Sequence, residues 1–406
     1  MYVWKRYFSI FLSGALLSAP VLADSTVSGD YAGLIDKVLQ QQPQTLKQQD
    51  WQELAETYRK QSERWISEDV ELTLHYENDA LMSNDDLRNY EVGASAALQL
   101  PGRQKPLNEV ASAYQMLPEI QQSYLRWQAS AKVRELSWQL KRAQVQFSTA
   151  KEALAQSREL QQKVELKYQA GDATQLERLL AQSETVKQEA ELEAVSHQLQ
   201  LAQQQFTLWT QGASLPQNLE EKLLTKLDES AHPQLQWLQA QQNLAQSQLS
   251  VAQSRKTAPP SFYLGAKHDS NPGTDHSTLI AEFSVPLGLD QQRRVSIAME
   301  REKLTDQKVN LAQAKLDLQQ KMVSGEQRLS DLQKQQSLWQ KNLQLNREKL
   351  QMMQKAYQLG AVSIESLLRV QQEFLMAQRQ LAMTEVELGF ATAELNQIYG
   401  HSLSSN

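Results

Sequence analysis

The sequence predicts a mainly α-helical fold with a small β part, laid out as two tandem repeats of a β-hairpin followed by long antiparallel coiled-coil helices. Three observations carry that expectation. The stretch Tyr168–Gln182 returns as Tyr357–Gln371, with Tyr168/Tyr357, Gly171/Gly360, Thr174/Ser363, Leu179/Leu368 and Gln182/Gln371 all 189 positions apart. Hydrophobic spacing switches along the chain between a period of two and a 3-4 heptad rhythm. Glycine (14) and proline (11) are scarce in 406 residues, which favours long uninterrupted helices over a loop-rich domain.

Residues 1–23 read as an export signal. Lys5 and Arg6 precede an apolar run from Tyr7 to Leu22, and Val21-Leu22-Ala23 supplies a cleavage site. The mature chain is expected to begin at Asp24, and loss of two basic residues takes the formal charge from −6 to −8. An uncleaved anchor is the competing reading, although the run falls short of the ~20 residues that a spanning helix needs. Without cysteine there is neither a lipid-attachment site nor a disulfide. No later stretch is apolar for long enough to make a transmembrane helix, so membrane insertion would have to use strands.

The first repeat is expected to occupy residues 24–230. Its lead-in, 24–68, is polar and mostly helical, with Asp50-Trp51-Gln52-Glu53 fitting a capping-box start for a helix running to about Trp65. A hairpin over 70–100 follows. Val70, Leu72, Leu74 and Tyr76 alternate with polar residues, the turn falls at Ser83–Asp86, and Tyr90, Val92, Ala94, Ala96, Leu98 and Leu100 return before Pro101-Gly102. Coiled-coil arms are placed at 105–169 and 172–211, with Pro118 expected to kink or interrupt the first. Ala129, Val133, Leu136, Leu140, Ala143, Phe147, Ala150 and Leu154 form one heptad seam, and Leu192, Val195, Leu199, Ala202, Phe206 and Trp209 form its mate. An equatorial insertion at 212–230 reads as a short charged helical piece.

The second repeat, 231–406, opens at His232-Pro233 with a helix over 233–257. Its hairpin, 261–287, alternates at Phe262, Leu264 and Ala266, turns at Asn271-Pro272-Gly273, and returns through Leu279, Ala281, Phe283, Val285 and Leu287. Arms at 294–358 and 363–399 follow, the last with heptad spacing from Leu367 through Val370, Phe374, Ala377, Leu381, Thr384, Leu388, Ala391 and Leu395 to Ile398. Pro101/Pro286, Val110/Val295 and Ala113/Ala298 stand 185 apart. The later offset of 189 therefore places four extra residues, about one helical turn, in the second copy's first arm.

At each arm-to-arm turn a glycine able to take positive φ ends one helix, and Thr174 or Ser363 offers an N-cap oxygen to the next. Glu177 completes a capping box with Thr174. A negative formal charge argues against nucleic-acid binding. His268 and His276 flank an acidic loop at an exposed hairpin tip, which reads as polar loop chemistry in preference to a metal site. No nucleophilic triad, carboxylate pair or phosphate-binding loop stands out, so no catalytic residue, metal or cofactor is expected, and the chain is not read as an enzyme.

The hairpins admit two readings: packing against helices, or strands of 9–12 residues crossing a bilayer with polar side chains lining water. Four strands cannot close a barrel, and open edges are not tolerated in lipid. A membrane role would thus require several chains to share one barrel. A soluble periplasmic coiled-coil scaffold or adaptor, without a barrel, is the alternative.

The order of helix, hairpin and two long helices, repeated, together with Tyr168-x-x-Gly171, Tyr357-x-x-Gly360, Leu100-Pro101-Gly102-Arg103 and His232-Pro233, resembles the TolC-like outer membrane efflux proteins over nearly all of the mature chain. The resemblance implies a homotrimer with a shared 12-stranded transmembrane β-barrel, continued by a trimeric α-helical tunnel into the periplasm. It implies passive conduction in a tripartite efflux or secretion system, with an inner-membrane pump and a periplasmic adaptor (membrane fusion protein) as partners. The adaptor-docking tip would comprise Gly171, Asp172, Thr174, Glu177, Gly360, Ser363 and Glu365. Outer-membrane lipid would meet Val70, Leu72, Leu74, Tyr76, Val92, Leu98, Phe262, Leu264, Leu279 and Phe283. The family's acidic entrance ring is not reproduced, because Ser366 and Arg369 stand six and nine residues beyond Gly360. Glu177 is read first as a cap and second as an entrance-lining residue, and Arg369 as an inter-arm ion-pair partner.

Overall fold

The computed structural model describes residues 31–79, 81, 87–255, 258–271, 273–287 and 291–403. The export signal, the turn Ser83–Asp86 and Pro272 lie outside them. In chain order the elements are α1 (Tyr31–Gln40), a 3-10 turn (Pro43–Leu46), α2 (Lys47–Glu63), β1 (Glu71–Asn78), β2 (Arg88–Ala97), α3 (Gln104–Ala170), α4 (Gln175–Thr210), α5 (Pro233–Ser254), β3 (Ser261–Asn271), β4 (Thr274–Ser284), α6 (Gln291–Gln358) and α7 (Ile364–Ile398).

The lead-in differs from its expected start. The 3-10 turn runs directly into α2, whose N-cap Leu46 is already helical and makes no side-chain cap, so Asp50 sits inside the first turn. There its charge still suits the positive end of the helix dipole. The helix ends at Glu63, where Arg64 turns extended. Ahead of it, α1 buries Leu34, Ile35 and Val38 against Ala129, Val133, Leu136 and Leu140 of α3 and Phe206 of α4.

Both hairpins join one antiparallel sheet in the order β1-β2-β3-β4. The register aligns Leu74, Val92, Ala266 and Leu279 in one row across all four strands. Residues with that parity share a face, since alternate side chains point to opposite sides. Strand ends near Glu71, Ala97, Ser261 and Ser284 all lie at one end of the sheet. The four helices that adjoin the strands in sequence are α2, α3, α5 and α6, so their ends gather there.

Helix α3 runs unbroken for 67 residues with Pro118 inside it, which corrects the expected interruption. Proline removes one backbone bond and costs about 3 kcal/mol. Buried Val110, Tyr114 and Leu117, packed against α5 through Ala240 with Trp51 and Tyr58 of α2 at the rim, offset that loss. The expected seams are where α3 meets α4 and α6 meets α7, and contacts between α3 and α7 join the two hairpins. Ala113–Tyr168 and Ala298–Tyr357 each lie within one continuous helix. The four extra residues are thus absorbed as helix, not as a bulging loop.

Residues 213–228 form no helix, contrary to the expected charged helical piece. Their backbone groups are met from outside the segment. Leu224 N–H donates to Asn396 Oδ1 at 2.9 Å, Asn396 Nδ2 donates to the Lys222 carbonyl at 2.9 Å, and Leu227 N–H donates to the Tyr399 carbonyl at 3.2 Å. Helix formation would give up those bonds to the C-terminal end of α7.

Candidate functional site: the sheet faces, the hairpin tips and the equatorial joint

The sheet presents one apolar and one polar face, and among the described residues no element covers the apolar one. Leu72, Leu74, Tyr76, Val92, Phe262, Leu264, Leu279 and Phe283 share the parity of the apolar row and are exposed, Leu74 and Leu279 to 74% each. Val70, just before β1, is also exposed. Leu98 is half-buried where its backbone bridges to Ile66, so it sits at the margin of this face. An apolar surface this continuous on a water-facing protein would be an association liability.

The opposite face carries Glu71, Thr73, His75, Glu77, Glu91, Lys267, Asp269 and Glu282. Its groups pair with one another. Asn89 donates to Glu77 at 3.0 Å, Lys267 lies 2.9 Å from Asp269, and Tyr263 donates to Glu91 at 2.5 Å. Tyr263 lies flat over Gly93 and Gly265: a Cβ at either position would come within 2.3 or 2.6 Å of its hydroxyl. Only glycine leaves that space, so the side chain stays against the wall.

At the opposite end of the long helices are the two turns. Gly171 and Gly360 have φ of 83° and 74°, a left-handed geometry that other residues resist. Asp172 N–H donates to the Lys167 carbonyl at 2.8 Å, and Ala361 N–H to the Ala356 carbonyl at 2.9 Å, closing both helices alike. The starts of the next helices differ. Glu177 accepts from Thr174 N–H at 2.7 Å while Thr174 Oγ1 accepts from Glu177 N–H at 3.2 Å, a complete capping box. Ser363 Oγ accepts from Ser366 N–H at 3.4 Å and shares a hydrogen bond with the Ser366 hydroxyl at 3.2 Å, with no carboxylate reaching back, and Glu365 is exposed in the first turn of α7.

Lys167 ties the first tip to the second, donating to the Tyr357 carbonyl at 3.3 Å and lying 4.5 Å above its ring. The Tyr357 hydroxyl is buried without a hydrogen-bond partner among the described residues; burial, and then the charge of Glu177, raises its pKa. Arg369 is exposed and has no ion pair among the described residues, which corrects its assignment as an inter-arm partner. That role falls to Arg379 with Glu191 at 2.8 Å, Lys349 with Glu373 at 2.5 Å and Arg178 with Glu165 at 2.8 Å.

A third cluster escaped the sequence reading. Arg134, 4% exposed, donates to both carboxylate oxygens of Glu221 at 2.8 and 2.7 Å, to Gln397 and to the His401 carbonyl at 2.9 Å. Beside it His232 joins α7 to α5. Its Nδ1 accepts from Gln234 N–H at 3.2 Å, which leaves Nε2–H to donate to the Ile398 carbonyl at 3.2 Å. Burial lowers the pKa of this ring from its ordinary 6.5. The available signals were a charged residue beside the apolar seam at Val133 and an Asn-Gln pair closing the final heptads.

Among the described residues no group of histidines and acids has the arrangement of a metal site, and no helix is long and apolar enough to cross a membrane. The described fold is thus one of long helical hairpins bearing a small sheet with one bare apolar and one polar face. Residues 227–401 match the family model of the outer membrane efflux protein. That signature lies in the second repeat, and the first repeat shares with it the fold of the solved structures that this chain resembles. No curated protein matches its sequence.

Solved structures share the fold along almost the whole chain. VceC from Vibrio cholerae has a TM-score of 0.68 at 16% identity, covering 91% of this chain and 95% of its own. CusC, described in connection with transmembrane channel formation, has 0.72 at 16% identity and 92% of each chain. The CmeC outer membrane channel of Campylobacter jejuni has 0.68 at 12% identity, with 97% and 94% covered.

Proposed function

We propose that three copies of this chain share one twelve-stranded barrel and a helical tunnel, and that the assembly conducts substrates passively out of the periplasm. The observation that carries this reading is the sheet: four strands with a bare apolar face, a polar face and two unpaired edges, β1 and β4. Closing such edges within lipid requires neighbouring strands, and the barrel in turn needs more strands than one chain supplies.

The helices support the same number of partners or more. Only 7 of the 68 residues of α6 are buried, against 21 of the 67 in α3. Leu338, Leu345 and Met352 recur every seventh residue along α6 and are all exposed, the spacing of a coiled-coil seam that awaits a helix. The turns at Gly171, Asp172, Thr174, Glu177, Gly360, Ser363 and Glu365 are proposed to dock a periplasmic adaptor, with an inner-membrane pump supplying the energy. The first 23 residues would be removed on export, leaving Asp24 at the N-terminus. Membrane fractionation and electrophoresis without boiling test the reading. A heat-sensitive oligomer in the outer membrane is expected; recovery as a soluble monomer would overturn it in favour of a periplasmic scaffold.

A further inference from the structure

The helices keep the lateral order of the strands. Near the sheet α2 packs on α3, α3 on α5 and α5 on α6; towards the turns α4 packs on α3, α3 on α7 and α7 on α6. One flank of the chain is therefore β1, α2 and α4, and the other is β4 and α6. Each open strand edge has an open helical edge below it.

The two helical edges carry matching apolar rows. On α4, Leu179 and Val186 stand seven residues apart, with fifteen more to Leu201 and seven more to Leu208. On α6, Val323 is followed after fifteen residues by Leu338, then at sevens by Leu345 and Met352. All of these side chains are exposed. A strict heptad row drifts about 20° around a straight helix with each repeat, and one longer step turns it back. Both rows thus keep to one side of their helices, away from Ala181, Thr185 and Val195 of α4 and from Leu350 and Tyr357 of α6, which are buried within the chain.

Their heights agree as well. The bond from Lys167 to the Tyr357 carbonyl holds the two turns level. Gln372 with Glu184 and Arg379 with Glu191, both at 2.8 Å, keep α7 and α4 in step beyond them. Leu179 and Met352 each stand eight residues from their turn glycines, Gly171 and Gly360; Val186 and Leu345 stand fifteen away, and Leu208 and Val323 thirty-seven. A rotation about an axis along the helices preserves height, so between copies related in this way the rows meet layer on layer.

Charge follows the same division. Helix α4 has five acidic and two basic residues, whereas the level stretch of α6, 323–358, has six basic and three acidic ones. Ion pairs to α3 and α7 use several of them. Lys341, Arg347 and Lys355 of α6 have no ion pair among the described residues, and Glu193 of α4 meets only His197, at 3.3 Å. Glu193 falls within the α4 row and lies within three residues of the level of Lys341.

We infer that α6 of each copy packs antiparallel on α4 of the next. Leu179 then lies against Met352, Val186 against Leu345 and Leu208 against Val323, with Glu193 paired to Lys341 across the seam. The seam rests on the shared-barrel reading, and it names the surface that takes up the exposed α6 row.

The chain has no cysteine, so introduced ones report without background. The test uses the purified full chain carrying Val186→Cys with Leu345→Cys or, 22 residues further from the turns, Leu208→Cys with Val323→Cys. Each is oxidised or treated with a short bismaleimide, which tolerates a wider gap than disulfide geometry allows, then boiled and run on a denaturing gel. Cross-linked dimers and trimers are expected from both pairs and from none of the four single variants. Val186→Cys with Leu338→Cys, one heptad or about 10 Å out of register, should give less than about a tenth of the product. An oligomer that survives without boiling but gives no product from either matched pair, or gives as much from the displaced pair, overturns the seam alone. A parent chain that runs as a monomer without boiling overturns the three-copy reading and the seam with it.

Discussion

At the scale of single residues, two positions show how one atom can decide the packing. Gly389 of α7 faces Trp138 of α3: a Cβ there would lie 2.1 Å from the indole Cη2. Trp138 is 6% exposed and has nowhere to go without disturbing Val386 and Ala393. Gly389→Ala gains about 1 kcal/mol of helix propensity but loses about 1–3 kcal/mol to overpacking, so a lowered thermal midpoint is expected. At Gly325 the obstacle is the Leu395 methyl at 3.1 Å, the free end of a side chain, and Gly325→Ala should be neutral or stabilising by the same measurement. His232 is the second kind of case. Its burial keeps the ring neutral in the fold, whereas the unfolded chain takes up a proton near the ordinary pKa of 6.5. The depressed pKa therefore contributes stability that is present above 6.5 and is lost as the pH falls below it. Unfolding followed across that range should show a smaller acid-side slope in His232→Asn than in the parent.

At the scale of elements, periodicity was a good guide wherever an element's own pattern determined it. The 3-4 spacing from Ala129 to Leu154 and from Leu367 to Ile398 marks seams that are buried or half-buried in the helical pairs, because heptad positions meet a neighbouring helix whatever lies further off. Alternation at Leu72, Leu74 and Phe283 likewise specified strands and their faces. Elements governed by distant partners were not legible. Residues 213–228 look helical locally but spend their backbone groups on Asn396 and Tyr399. Pro118 looks like a break, yet tertiary packing carries α3 through it. The Arg134 cluster draws on residues more than 80 positions apart, and no local pattern announces it. The strand faces carry a prediction of their own: Leu72→Asp or Phe283→Asp puts a charge on the apolar face, costs about 2 kcal/mol per chain if that face meets mid-bilayer lipid, and should shift the protein from the membrane fraction to the soluble or aggregated one.

At the scale of the whole molecule, burial is lopsided. Helix α3 is packed by α1, α2, α4, α5 and α7, while α6 packs chiefly on α5 and α7 and shows its apolar heptad row to solvent. Substituting Leu338 and Leu345 with serine removes little that the single chain has buried. The fold should therefore persist by circular dichroism while the oligomer in an unboiled gel weakens. Loss of helicity would mean that this row is needed within the chain and not between copies.

The two open edges of the sheet have a genetic consequence. If β4 of one copy must accept β1 of the next, every seat in the ring depends on both of its neighbours, a head-to-tail arrangement in which no subunit is spare. A copy with a proline in β1 would be taken into a ring by its intact β4 side and leave the far side unclosed. Expressed equally with the normal chain, it would leave only about one three-seat ring in eight wholly normal. Such an allele should behave as a dominant poison, whereas a deletion of the same gene should be recessive.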